Sequence, residues 1–168
     1  SLGQLKGINI HILGFVKSPG VYPLHPFADP FTALFYAGGV DTTGSLRNIE
    51  IYRSGKKYDS IDLYDIIHSG SLNKQIRLVD QDVIFVPPRK SKVTINGAVT
   101  IPGYYELAQS ETALDLINFS GGLTSKASNI FILKRIDSPY KRINDDLSIN
   151  FYSIPIDSLF NFKIQNGD

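Results

Sequence analysis

The chain contains one pattern twice, reading GFVKSPGVYPL at residues 14–24 and GAVTIPGYYEL at residues 97–107. Six of the eleven positions are identical, where ordinary residue usage gives roughly one match by chance. At the same offset of 83 residues, Ala-Gly-Gly at 37–39 corresponds to Ser-Gly-Gly at 120–122. The repetition predicts two copies of one small domain, which we place at residues 1–88 and 92–168.

Both copies predict the same opening hairpin. Alternating isoleucines predict a strand over residues 8–16, and residues 21–24 return as its partner. Pro19 presets φ at the first central position of the turn, and we expect Gly20 to adopt the positive φ of a type II turn at the second. Residues 92–107 predict the same hairpin in the second copy.

A short helix follows each hairpin. We expect Asp29 to cap a helix that begins at Pro30 and ends at the Gly-Gly pair. Its counterpart begins after Thr112, with Asp115 three residues on completing a capping box. A glycine pair at a helix C-terminus favours a left-handed cap, so both helices are predicted to end there.

A second hairpin follows each helix. We match residues 48–61 of the first copy to residues 129–133 and 151–154 of the second, where residues 137–148 form an insertion at the hairpin tip. Loop insertions are tolerated at low entropic cost and often carry specific contacts. Residues 83–86 predict a closing strand in the first copy, and we expect the second copy to lack its last strand.

These landmarks occur in the same order twice: the Pro-Gly hairpin, the helix stopped by Gly-Gly, the second hairpin, and in the first copy a strand entered through Asp80-Gln81-Asp82. Together they resemble the SLBB domain, the soluble-ligand-binding β-grasp fold, over residues 8–168. The resemblance implies an α+β protein with two tandem β-grasp-like SLBB domains, each a small mixed sheet packed on a short helix. The tandem arrangement resembles the periplasmic part of bacterial outer-membrane polysaccharide export proteins.

This resemblance implies a function without enzymatic activity. The two domains would stack as layers of a periplasmic ring wall through which capsule or exopolysaccharide passes, in a protein associated with the outer membrane. The implied partners are polysaccharide, further copies of the full-length protein in a homo-oligomeric ring, and an inner-membrane polysaccharide co-polymerase. The chain does not begin with Met, and we expect anchor and pore segments outside it. The alternative is a soluble ligand- or glycan-binding β-grasp module that is not part of a pore.

The composition argues against several other classes of function. The formal net charge is +1 and there is no long basic stripe, which disfavours nucleic acid as a partner. No apolar run approaches the 18 or so residues of a membrane span, and cysteine is absent. The three histidines, His11, His25 and His68, show no metal-ligand or catalytic spacing. We therefore predict no catalytic residues, no metal and no cofactor.

Ten residues are candidates for contact with a glycan or a neighbouring subunit. Three are tyrosines, because sugar rings stack on aromatic faces: Tyr22 and Tyr105 after the two Pro-Gly turns, and Tyr140 in the insertion. The other seven are basic and cluster at the tips of the two second hairpins, where they could meet acidic groups: Arg53, Lys56, Lys57, Lys134, Arg135, Lys141 and Arg142. The alternatives are core packing for the tyrosines and solvated loops for the basic residues.

Overall fold

The computed structural model describes residues 6–71, 75–136 and 148–168. The chain divides into two compact units, Ser1–Arg89 and Lys90–Asp168. Within the described residues, no helix is long and apolar enough to cross a membrane.

The first unit is built on one mixed sheet. Its strands follow the order β2-β1-β5-β3-β4, and β5 runs parallel to β1 and antiparallel to β3. The last strand therefore joins the two hairpins into a single sheet, which confirms the predicted α+β class. The elements are β1 (Ile8–Gly14), β2 (Gly20–Leu24), α1 (Pro30–Tyr36), β3 (Ile49–Arg53), β4 (Lys56–Ile61), α2 (Leu63–Ser69) and β5 (Val83–Val86).

The core of the first unit lies between this sheet and α1. Alternate residues of the central strands point to one face, since side chains of a strand alternate between its two sides. Ile10, Ile51 and Ile84 are fully buried there, and Ala33 and Leu34 cover them from α1. Burial of apolar side chains at about 25 cal/mol per Å² is the main favourable contribution to such a fold.

The helix signals in the sequence are confirmed. The Asp29 carboxylate accepts the Thr32 N–H at 2.7 Å, and Pro30 occupies the first turn. Gly38 and Gly39 have φ of 75° and 85°, so both adopt the left-handed conformation that a side chain would disfavour.

The expected conformation of the Pro-Gly turn is wrong. Gly20 does not adopt a positive φ, whereas Gly14, the first glycine of the repeated pattern, has φ of 84°. A Cβ at Gly14 would lie 2.2 Å from the carbonyl oxygen of Val86. The pattern therefore requires glycine where β1 ends against β5, because two backbones approach closely at that point.

The second unit contains counterparts of the two hairpins and of α1, but they do not form a single joined sheet. Its strands form two separate pairs, β6 with β7 and β8 with β9. Within its described residues, no strand lies between β6 and β8, the position that β5 occupies in the first unit. The elements are β6 (Val93–Ile95), β7 (Gly103–Tyr105), α3 (Ala113–Phe119), β8 (Ile130–Ile136) and β9 (Ile149–Pro155), followed by a 3₁₀ turn at Ile156–Ser158.

The helix of the second unit also begins and ends as predicted. The Asp115 carboxylate accepts the backbone N–H of Thr112 at 2.7 Å and its hydroxyl at 2.9 Å. Gly121 and Gly122 have φ of 79° and 86°. The two glycine pairs therefore perform the same capping task.

The sequence match between the second hairpins is wrong by one residue. It equates Ile132 with the fully buried Ile51, but Ile132 is 65% exposed, whereas Leu133 packs against the core. Phe131 pairs with Ile154 across the second hairpin as Ile49 pairs with Ile61 across the first. Because side chains alternate between faces, a shift of one residue exchanges the core face for the outer face.

Candidate functional site

An arginine and a buried aspartate hold the last loop of the first unit. Arg53 donates from Nε and Nη2 to the two carboxylate oxygens of Asp82 at 2.9 and 2.8 Å, and from Nη2 to the carbonyl oxygen of Arg77. Asp82 is 1% exposed and also accepts the N–H of Val79. The hydrogen bonds to Asp82 raise the pKa of Arg53 above its ordinary value. The pair fixes the turn that leads into β5.

The second unit repeats this arrangement contact for contact. Arg135 donates from Nε and Nη2 to the carboxylate of Asp168 at 2.7 and 2.5 Å, and from Nη2 to the carbonyl oxygen of Lys163. The N–H of Gln165 donates to the same carboxylate. The hydrogen bonds to Asp168 raise the pKa of Arg135. The guanidinium groups of both candidate arginines are therefore engaged within their own units, and their contact with a glycan or subunit stays a prediction.

The two candidate tyrosines fold back onto their own turns. The Tyr22 hydroxyl donates to the carbonyl oxygen of Ser18 at 2.6 Å, and the Tyr105 hydroxyl donates to that of Ile101 at 2.8 Å. Each bond spans four residues and closes the Pro-Gly turn. Burial raises the pKa of Tyr105. These contacts explain the repeated tyrosine as part of the hairpin, and its role in glycan contact stays a prediction.

The candidate lysines differ in their contacts and exposure. Lys57 donates to the carboxylate of Glu50 at 2.7 Å, and this hydrogen bond, followed by that from the Tyr52 hydroxyl, lowers the pKa of Glu50. Lys56 and Lys134 are exposed. The remaining candidates lie outside the described residues: Tyr140, Lys141 and Arg142.

The three histidines lie apart on separate elements. His11 contacts the side-chain oxygen of Gln81 at 3.0 Å, His25 packs against Phe27, and His68 packs edge-on against a tyrosine of its own helix. Among the residues that the structure describes, no group of three His, Cys, Asp or Glu side chains is placed to hold a metal ion.

A cavity in the first unit was not anticipated from the sequence. It measures about 550 Å³ and lies between the start of α1, the end of β4, α2 and residues 75–77. Its apolar wall includes Phe27, Phe31 and Ile76, and its charged groups are Asp29, Arg47, Asp62, Asp65 and Arg77. Its size falls within the roughly 300–1,000 Å³ of small-molecule sites.

The same place is closed in the second unit. There the N–H of Ala113 donates to the carbonyl oxygen of Phe162 at 2.9 Å, and that of Leu114 donates to Leu159 at 3.2 Å. Pro30 stands where the second copy has Ala113, and proline has no N–H to donate. The difference between Pro30 and Ala113 is the sequence signal that could have pointed to the cavity.

The outer face of the β8–β9 hairpin is mostly apolar, with Lys134 as an exposed charged residue on it. At corresponding positions in the first unit, Glu50 carries hydrogen bonds from Asn48 and Lys57. Exposed apolar patches often mark interaction surfaces. The five apolar residues of this face are 40–67% exposed: Ile130, Ile132, Ile136, Ile149 and Phe151.

A second cavity, of about 450 Å³, lies in the second unit between β6 and β8. Apolar side chains from both strands and from α3 form its wall, among them Ile95, Ile117 and Leu133. The cavity lies where β5 would stand by comparison with the first unit, since β6 and β8 correspond to the two strands that flank β5.

Comparisons with known proteins agree with the internal repeat. The family model for the SLBB domain matches residues 9–60 and 92–142, one segment in each unit. Two curated relatives, both named polysialic acid transport protein KpsD and both from Escherichia coli, are 31% identical to the chain over 111 residues. The match covers 66% of this chain and 20% of each relative. The chain therefore spans about a fifth of the length of the curated relatives it matches.

Proposed function

The chain belongs to the SLBB domain family, and from this premise we propose that it is the periplasmic portion of an outer-membrane polysaccharide export protein. It supplies two domains, residues 1–88 and 92–168, that form part of a ring wall and contact neighbouring subunits. It carries out no chemical reaction. Its partners are the exported polysaccharide, further copies of itself and an inner-membrane polysaccharide co-polymerase.

The observation that carries this proposal is the family match in both repeats together with the similarity to proteins named for polysialic acid transport. A tandem of one small domain supplies repeated building units for such a wall. The repeated Arg53–Asp82 and Arg135–Asp168 pairs support a structural role, since their charged groups are engaged within each domain.

Subunit contacts are supported by the outer face of the β8–β9 hairpin. Ile132 and Phe151 are 65% and 67% exposed on it, and the corresponding face of the first unit carries the Glu50 hydrogen bonds instead. Because folding of the hairpin does not require apolar residues on the solvent side, their presence favours burial against another protein surface.

The test replaces Ile132 in cells that carry the gene. Ile132→Glu should reduce both surface polysaccharide and the oligomer seen by native electrophoresis of detergent extracts, because a charge would be buried at the contact. Ile101→Glu is the matched control, since Ile101 is 58% exposed in the same unit but lies at the Pro-Gly turn. A protein that stays monomeric in detergent and is dispensable for surface polysaccharide would rule the proposal out.

The second candidate is a soluble ligand- or glycan-binding module that is not part of a pore. The cavity beside Phe27 and Phe31 favours it, because the equivalent place in the second unit is closed. Saturable ligand binding by a protein that neither oligomerises nor supports surface polysaccharide would select this function over export.

A further inference from the structure

The two units share one fold but differ at the place where the first unit has its cavity. In the second unit, α3 begins in direct backbone contact with residues 159–163. In the first, Pro30 removes the donor for one of those bonds, and a space of about 550 Å³ lies between α1 and residues 75–77. In the second copy, backbone hydrogen bonds occupy this place.

Two aromatic side chains at the cavity are also specific to the first copy. Phe27 is 62% exposed and Phe31 is 48% exposed, and both line the cavity. The corresponding residues of the second copy are Ser110 and Leu114. Two half-exposed aromatic rings beside a cavity offer apolar faces on which a ring-shaped ligand can stack.

The charged groups around the cavity nearly balance one another. Three carboxylates and two guanidinium groups line it. Arg47 and Asp62 pair at 2.8 Å and neutralise each other, which leaves Asp29 and Asp65 beside Arg77. An excess of one negative charge disfavours an acidic ligand.

The remaining polar groups suit a ligand rich in hydroxyls. Carboxylate oxygens accept hydrogen bonds from hydroxyl groups, and guanidinium groups donate to hydroxyl oxygens. The guanidinium carbon of Arg77 lies 5.0 Å from the centre of the Phe27 ring. A donor therefore lies over one face of the Phe27 ring, and Asp65 supplies an acceptor from α2.

We propose that this cavity binds one or two neutral sugar residues of a glycan, with Phe27 and Phe31 against the sugar rings and Asp65 and Arg77 on their hydroxyls. The inference rests on the proposed function, which places the chain beside a polysaccharide. It adds a binding site in the first domain, its residues and the class of sugar that the site selects.

The experiment measures binding to the 168-residue chain by NMR. Maltohexaose, cellohexaose and isomaltohexaose serve as neutral probes at millimolar concentration, and α2,8-linked tetrasialic acid serves as the acidic probe. At least one neutral probe should shift the amide resonances of residues 27–31 saturably, and the acidic probe should not. Binding only by the acidic probe, or by none of the four, would overturn the inference.

Variants test the residues directly. Phe27→Ala should weaken binding of the neutral probe about ten-fold, because the stacking face is lost, and Asp65→Asn should weaken it several-fold. Phe35→Ala is the matched control, since Phe35 is 78% exposed on α1 and is not among the residues that line the cavity. Unchanged binding by Phe27→Ala, or equal loss in the control, would refute the assignment.

A separate measurement distinguishes this inference from the proposed function. Surface polysaccharide in cells that carry Phe27→Ala reports on export, whereas NMR reports on binding. Export that depends on the gene, combined with failure of every probe to bind, would refute the sugar site and leave the export role standing. Binding of a neutral probe by a protein that is dispensable for export would refute the export role and leave the sugar site standing.

Discussion

Replacement of Asp82 by asparagine should destabilise the first unit more than any other change of one carboxylate to an amide. Asp82 is 1% exposed and accepts two hydrogen bonds from Arg53 and one from the N–H of Val79. Asn has one acceptor oxygen in place of two and turns an NH₂ group toward the guanidinium. The variant therefore loses the negative charge and at least one charge-assisted hydrogen bond.

The magnitude follows from burial of the two partners. Removal of one partner of a fully buried ion pair costs about 3–5 kcal/mol. The Arg53 side chain is 26% exposed, so water partly solvates the guanidinium in the variant, and we expect about 2–3 kcal/mol. For a domain of this size that loss lowers the melting temperature by roughly 10 °C or more.

The assay is urea unfolding followed by circular dichroism, with Asp80→Asn as the control. Asp80 lies two residues away and is exposed, so its variant makes the same change of charge without opening a buried pair. The double variant Arg53→Met/Asp82→Leu should recover part of the loss, because neither buried charge is then left unpaired. A shift in Asp82→Asn no larger than that of the control would refute this account of the pair.

Three other perturbations test the fold and its electrostatics. Gly14→Ala should cost about 3 kcal/mol or more in urea unfolding, because φ is 84° and a Cβ would lie 2.2 Å from a carbonyl oxygen of β5. The hydrogen bond from Lys57 lowers the pKa of Glu50, so its stabilisation is present above about pH 4.3, the ordinary value for Glu, and is lost as pH falls through the folded pKa. Glu50→Gln should therefore be less stable than wild type at pH 7, with a gap that closes on acidification. An extension of the chain after Asp168 by a copy of residues 83–87 should protect the amides of β6 and β8 from hydrogen exchange, because the added strand would pair with both.

Each of these expectations has a clear contrary result. Gly97→Ala is the control for the first, since a Cβ there meets nothing within 4 Å, and an equal cost at both glycines would remove the argument from close approach. A gap between Glu50→Gln and wild type that is independent of pH would show that the carboxylate contributes no charge-dependent stability. Unchanged exchange in the extended chain would show that β6 and β8 do not accept a strand between them.

The local elements were accessible from the sequence because their signals lie within a few residues. Asp29 and Pro30 define the start of a helix, and two glycines define its end. The doubled pattern strengthened each signal, since both copies had to give the same structure. The Pro-Gly turn was the exception, because the need for glycine at Gly14 comes from β5, about seventy residues away in the chain.

Pairings between distant residues were not accessible in the same way. Arg53 and Arg135 look like basic hairpin tips, and only their contacts with Asp82 and Asp168 show that they are engaged inside each unit. The predicted register of the second hairpin was wrong for a related reason. Ile132 and Leu133 are equally apolar, so composition cannot tell which of them faces the core.

The sequence alone indicated two copies of one small domain that resembles the SLBB domain, because helix caps and alternating strands depend on short stretches that recur in order. The differences between the copies in cavities and exposed surfaces became visible only in the folded chain. The tertiary structure placed Phe27, Phe31, Asp65 and Arg77 around one cavity, although the chain separates them by up to 50 residues. It also placed the apolar side of the β8–β9 hairpin outward. The cavity and the exposed apolar face both depend on packing between residues that are far apart in the chain. No local sequence pattern shows that such residues lie close together.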